Sequence, residues 1–162
     1  MDSSDGLGLE DDLAFLLARL GTATRLRLAD AVAPLDLTLR QFLALRAIAA
    51  TEGLSQAQLG ERLRIDASSI VQVLDDCERA GFAERRPDPR DRRRYAVHLT
   101  EAGRTRLMEA GRAVEMVQID LFASLEAGQQ TELLNLLRNL ASSGPLASPA
   151  ARPAPALARE AR

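Results

Sequence analysis

Apolar positions recur along this chain at helical spacing, then briefly in alternation, then at helical spacing again. From about Leu9 they fall at Leu9, Leu13, Leu16, Leu17, Leu20 and Leu28, which predicts a helix continuing to about Val32. Pro34 ends it, because the residue before a proline is disfavoured in helical geometry. Thr38 is a suitable N-cap for a second helix over 39–50, with Phe42, Leu45 and Ile48 spaced to make its buried face. Gly53 marks a linker. Ser55 then opens a third helix, with Gln58 three residues on completing a capping box. Leu59 and Leu63 point inward there, and Gly60 leaves room for a close neighbour. Across the short connection Arg64-Ile65-Asp66, Asp66 caps a fourth helix over 67–80 that carries Ile70, Leu74 and Cys77 on one face. Two short helices so joined have the outline of a helix-turn-helix.

At Gly81, a helix stop, the period changes. Phe82-Ala83-Glu84-Arg85 can supply one strand. Tyr95, Val97 and Leu99 alternate with Arg94, Ala96 and His98, the pattern of a half-buried partner strand. Thr100 caps a long fifth helix whose Leu107, Ala110, Val114, Val117 and Leu121 form a seam, slightly weakened by Gly111. After a break around Glu126–Gly128, a sixth helix shows Leu133, Leu136, Leu137 and Leu140. The predicted fold is mainly α: a winged helix-turn-helix over 38–99 with a small β-hairpin wing, flanked by helical regions 9–33 and 100–141. Helices at the two chain ends are poorly placed to cover their own leucine stripes within one subunit, so a homodimer is expected. Residues 1–8 are expected to fray. Residues 142–162, with four of the chain's seven prolines, are expected to form a disordered Ala/Pro-rich tail.

Composition narrows the class. With 162 residues, 46% hydrophobic and 27% charged, the chain is long enough for one domain with a sizeable core. Its net charge of −2 argues against indiscriminate nucleic-acid binding but not against a local basic site. All 21 basic residues are arginine, and six of them lie within Arg85–Arg94 beside only two aspartates, a local net charge of +4. A hairpin with such a tip suits phosphates and the minor groove. One cysteine and one histidine leave no metal cluster of usual spacing and no disulfide framework, which fits a reducing cytoplasm. The sequence holds no bilayer-length apolar run, no signal region in Met1–Glu10, no phosphate loop and no nucleophile–base motif. The expectation is a cytoplasmic protein that is no enzyme, has no metal or cofactor and does not engage membranes.

The candidate chemistry lies on the fourth helix and the wing. Ser68, Ser69 and Gln72 point away from the Ile70/Leu74 face and Ala67 opens the first turn, where a recognition helix meets the major groove. The far end of this helix is acidic, with Asp75, Asp76 and Glu78 against Arg79, so it must face away from phosphates. In the wing, Arg90 is assigned to the minor groove and Arg92 to phosphate. Arg93 has two readings, pairing with Asp88 or Asp91 to hold the loop or contacting DNA, and the scaffold reading is preferred. Cys77 is read as core rather than as a redox switch, and His98 as solvated rather than as a ligand.

Three runs, residues 74–85 (Leu-Asp-Asp-Cys-Glu-Arg-Ala-Gly-Phe-Ala-Glu-Arg), 88–93 (Asp-Pro-Arg-Asp-Arg-Arg) and 99–103 (Leu-Thr-Glu-Ala-Gly), together resemble the MarR family of multiple-antibiotic-resistance regulators. Its wing signature Asp-x-Arg-Asp-x-Arg is matched at Asp88, Arg90, Asp91 and Arg93. The resemblance covers roughly residues 9–141. It implies a homodimeric repressor or activator on a near-palindromic double-stranded DNA operator, with terminal helices at the dimer interface and control by a small-molecule effector or by oxidation. Ser55 and Gln56 join the DNA-contact set on this reading. Phe15, Arg19 and Phe42 become effector-pocket candidates between the dimerisation helices and the winged part. Where members of that family often carry a long basic or polar side chain, this chain has Ala67, so direct base reading is expected to be thin. The rival reading is a winged-helix protein-interaction module without DNA binding, mildly favoured by the acidic fourth helix and disfavoured by the basic wing.

Overall fold

The computed structural model describes residues 12–88 and 91–143, and for Asp88 and residues 91–94 the backbone alone. The expected frayed start, Arg90 at the wing tip, and residues 144–162 of the expected tail lie outside the described residues. Two compact units divide between Leu121 and Phe122. The first holds α1 (Leu13–Val32), α2 (Leu39–Ala50), α3 (Gln56–Leu63), α4 (Ala67–Arg79), the antiparallel strands β1 (Ala83–Asp88) and β2 (Asp91–Leu99), and α5 (Glu101–Leu121). The second holds α6 (Ala127–Ser142).

Local chemistry sets these boundaries. Asp12 caps α1, its carboxylate accepting from the Phe15 N–H at 3.0 Å. Pro34 sits in a single 3₁₀ turn, Ala33–Leu35, after which Asp36 takes a left-handed conformation at φ 54°. Thr38–Gln41 and Ser55–Gln58 form full capping boxes, each glutamine accepting the cap residue's N–H at 2.8 and 2.9 Å. The Arg64-Ile65-Asp66 turn works because Arg64 adopts φ 54° and donates its N–H back to Glu61 and Gly60. At Gly60 an added Cβ would stand 3.4 Å from Ile65 O and from Ile70, so the expected close neighbour is the start of α4.

The core gathers Val32 with Phe42, Leu45 and Ile48 of α2, Leu59 of α3, Ile70, Leu74 and Cys77 of α4, and Val97 of β2, all fully buried. Burying each large aliphatic or aromatic side chain contributes on the order of 2 kcal/mol. The predicted α4 face is therefore the one that packs. Leu107 and Val114 of α5 pack against this core, and Ala110 is fully buried in it.

Two expectations are corrected. Along β2 the alternation breaks: Tyr95, expected on the apolar face, is exposed, while Ala96, expected on the polar face, is 4% exposed. The cause is a third backbone run alongside the hairpin. Val97 N–H donates to Leu54 O at 3.0 Å, and Ser55 forms an antiparallel bridge with Ala96, covering that stretch from the edge. The break expected around Glu126–Gly128 covers residues 122–126, ending earlier than expected because Glu126 and Gln129 form a capping box and Gly128 stands inside the first turn of α6.

At the root of the wing the chain closes on itself. Gly81 adopts φ +73° to end α4. Thr100 donates its hydroxyl to Gly81 O at 2.6 Å and its N–H to Phe82 O at 3.1 Å, while its Oγ1 accepts from Gly103 N–H at 2.9 Å. A Cβ on Gly103 would lie 1.9 Å from Phe82 O, so only glycine lets α5 approach. Arg106 completes the joint, donating to Leu35 O at 2.7 Å and lying 5.4 Å from the Phe82 ring centroid.

Gly103→Ala is expected to lower stability by roughly 1–3 kcal/mol through overpacking against backbone, despite alanine's better helix propensity. A fall in the urea midpoint reads this directly, and an unchanged midpoint would mean that α5 can move off Phe82. Cys77 offers a second check. Burial, with Asp76 and Glu78 nearby, pushes its thiol from 9.0 up to about 12. The folded state therefore holds that proton more tightly than the unfolded chain. Stability is full below about pH 9 on this account and declines as pH rises toward 12. Alkylation at pH 8 should occur only on unfolding, and fast labelling of the native protein would contradict a buried thiol.

Candidate nucleic-acid interface

Opposite its packed face, α4 presents Ala67, Ser68, Val71 and Gln72, all exposed, at i, i+1, i+4 and i+5. This strip begins at the helix N-terminus and is organised by the cap. Asp66 accepts the Ser69 N–H at 2.9 Å, the Ser68 hydroxyl at 2.5 Å and the Ser69 hydroxyl at 2.6 Å. Those donors, the Ser68 hydroxyl first, hold the Asp66 carboxyl well below the usual carboxylate range. Ser69 is half-buried and turned toward this cap, while Ser68 and Gln72 stand on the open strip. Val71 drew no notice in the sequence because it is apolar. Its spacing of four from Ala67, off the Ile70/Leu74 face, is the signal that marks it as exposed.

The acidic end of α4 is neutralised internally. Arg85, with a side chain 23% exposed, donates to Asp75 at 2.8 Å, to Gln56 Oε1 at 3.3 Å and to Glu78, whose carboxylate also accepts the Arg85 backbone N–H at 2.8 Å. Asp76 pairs with Arg79 at 2.7 Å. Arg86 pairs with Glu84. Of the six arginines in the basic stretch, Arg85 therefore serves the fold and Arg86 is paired within its own strand, so the positive charge open to a partner is smaller than the +4 of the sequence. No spacing rule reveals this, since Arg85 meets α3 and α4 only through the tertiary fold.

Gln56, expected to meet DNA, is held by Arg85, and Ser55 caps α3. With Ala57, Arg85, Val97 and the exposed Tyr95 they line a cavity of about 400 Å³ between the start of α3 and the hairpin. Asp88, Asp91, Arg92 and Arg93 lie on the strand ends that lead to the tip, described by backbone alone, and Arg90 is outside the described residues. His98 is half-buried and lines a second cavity of about 390 Å³ with Glu52, Arg86 and Arg104.

Of the effector candidates, Phe15 and Arg19 come together with Ala18, Thr22, Ala23 and Leu26 along a groove of about 490 Å³ on α1. Phe42 is not part of it. At 2% exposure it belongs to the core, because its position in α2 faces Leu45 and Ile48 rather than α1's outer side. Among the described residues no group of three or more His, Cys, Asp or Glu side chains is assembled to hold a metal. No described helix is long and apolar enough to cross a membrane.

Comparison with known proteins agrees with this geometry. The MarR family model matches residues 35–94, which span α2 to the wing. The HTH-type transcriptional repressor Rv2887 of Mycobacterium tuberculosis is 33% identical over 138 residues, covering 84% of this chain and 99% of the relative. CouR, a protein of Rhodococcus jostii RHA1, superposes in its complex with a 23-mer DNA duplex at a TM-score of 0.78 and 29% identity, covering 87% of this chain and 99% of that one. The PcaV transcriptional regulator of Streptomyces coelicolor, in complex with its natural ligand, gives a TM-score of 0.71 at 28% identity, covering 88% and 99%. With the capped helix pair, the hairpin and the likeness along nearly the whole of a relative, this chain belongs to the MarR family of winged helix-turn-helix transcriptional regulators.

Proposed function

We propose that the chain is a cytoplasmic, homodimeric repressor that binds a near-palindromic operator, without enzymatic activity and without metal or cofactor. Each subunit inserts the Ala67–Gln72 strip of α4 into the major groove. Its wing lies along the neighbouring minor groove, with Arg90 in the groove, Arg92 on phosphate and Arg93 bracing Asp88 or Asp91. Ser55 and Gln56 approach the backbone from the start of α3. The winged unit over 38–99 is the DNA-binding part, and helical regions 9–33 and 100–141 are the dimerisation part. A small molecule with an apolar body fits the groove of Phe15 and Arg19.

One observation carries this reading: α4 keeps an open strip at its N-terminal end while its acidic end is paired off by Arg85. That pairing also removes the support for the rival. An acidic helix free to bind a protein partner would show unpaired carboxylates, whereas Asp75, Asp76 and Glu78 each hold an arginine. Dimerisation is supported by uncovered apolar side chains. On α1 Leu13, Leu17, Leu20 and Leu26 are exposed, Leu13 at 84%, and on α6 Leu134, Leu136 and Leu140 are exposed. Apolar surface of that extent is rarely left to water.

Sedimentation at micromolar concentration should therefore give a dimer mass, and a folded monomer would refute the assignment of these helices. Salt titration on an operator duplex tests the wing. Each lost phosphate contact flattens the slope of log K against log salt by about 0.9, so Arg92→Ala in a dimer should flatten it by about two. Arg85→Ala should leave the slope unchanged and lower stability by roughly 1–3 kcal/mol, since Asp75 and Glu78 lose their hydrogen-bonded partner. The opposite pattern, with Arg85 carrying the slope, would place the wing wrongly on DNA.

A further inference from the structure

The open strip of α4 is chemically lopsided. Both serine hydroxyl protons go to Asp66, which takes them at 2.5 and 2.6 Å. Toward a base edge Ser68, the serine that stands on the open strip, then offers an acceptor oxygen and no hydroxyl donor. Gln72 commits an amide proton to Asp76 at 3.3 Å. Gln72 keeps its Oε1 and its second N–H, while the remaining open surface at the N-terminal end of the strip is apolar: the Ala67 methyl and the Val71 side chain, which is 37% exposed one turn further along the same edge.

In the major groove one base feature is apolar, the C5-methyl of thymine, and small apolar side chains recognise it by contact. Resting on the reading that α4 enters that groove, we propose that Ala67 and Val71 read thymine methyl groups, with Val71 the principal specificity-determining residue of each half-site. The acceptor oxygen of Ser68 fits beside it, because the adenine paired to that thymine shows an N6 amino donor on the same edge. The strip as a whole selects A·T pairs through a methyl and an amino group, without a basic side chain on the bases. The attraction that a long arginine or lysine would supply here is left to the wing.

The test uses the full chain. Bound sequences are selected from a random duplex pool, and the resulting site is remade with each thymine replaced singly by deoxyuridine, which deletes only the methyl. Removing the contacted methyl should weaken the wild type about fourfold per half-site, hence roughly fifteenfold when both halves are changed, the scale of one buried methylene-sized group. Val71→Ala should be nearly indifferent to the same replacement, while Val71→Thr, which keeps a γ-methyl, should retain the sensitivity. Val71 is exposed, so both variants should melt as the wild type does. A selected site bound equally well with deoxyuridine throughout, or an equal loss in wild type and Val71→Ala, overturns the methyl reading and leaves DNA binding standing. Failure to bind any duplex at low salt overturns the DNA-binding reading itself, and this one with it.

Discussion

The half-buried guanidinium of Arg85 is the interaction on which the arrangement of the proposed DNA-facing surface depends. From one position on β1 it reaches α3 through Gln56 and α4 through Asp75 and Glu78. A planar fork with five donors in fixed directions spreads its bonds over acceptors on two helices, whereas a lysine would present them all from one nitrogen. It sets the wing against the recognition helix. It also disposes of the repulsion that two carboxylates on one helix face would otherwise create beside a polyanion. A protein of net −2 can in this way keep acidic residues next to its binding surface.

A second constraint acts at the root of the hairpin. Gly81, Thr100 and Gly103 bring the end of α4, the start of α5 and the backbone of Phe82 within hydrogen-bonding distance. The wing is thus tied at its base by backbone contacts and along its length by Arg85. The same helix α5 packs against α1 in the first unit and carries the Asp120 partner of Arg27, so the wing root and α1 share one support.

The division of labour on the surface follows from the same chemistry. Asp66 orders the first turn of α4 at the expense of the serines' donor capacity. That leaves α4 weakly charged and partly apolar where it is open. In the proposed complex, affinity rests on the arginines of the wing, and choice among sequences rests on shape and methyl contact on the helix.

The periodicity and capping residues alone determined most of this architecture. The Thr38, Ser55 and Asp66 caps, the Gly81 stop and the Ile70/Leu74/Cys77 face all stand where the one-dimensional pattern places them, because caps and helical faces depend on neighbours within four residues. The motifs at 74–85, 88–93 and 99–103 were likewise enough to identify the family. Only tertiary structure decided what depends on partners distant in the chain. Ala96 is buried because Leu54 and Ser55 run beside it, and Phe42 is core rather than pocket because α2 is enclosed. Arg85 is structural because carboxylates of α4 meet it across the fold. A count of arginines in a row measures charge, whereas the charge open to a partner is what remains after such pairing, and pairing is a property of space rather than of sequence order.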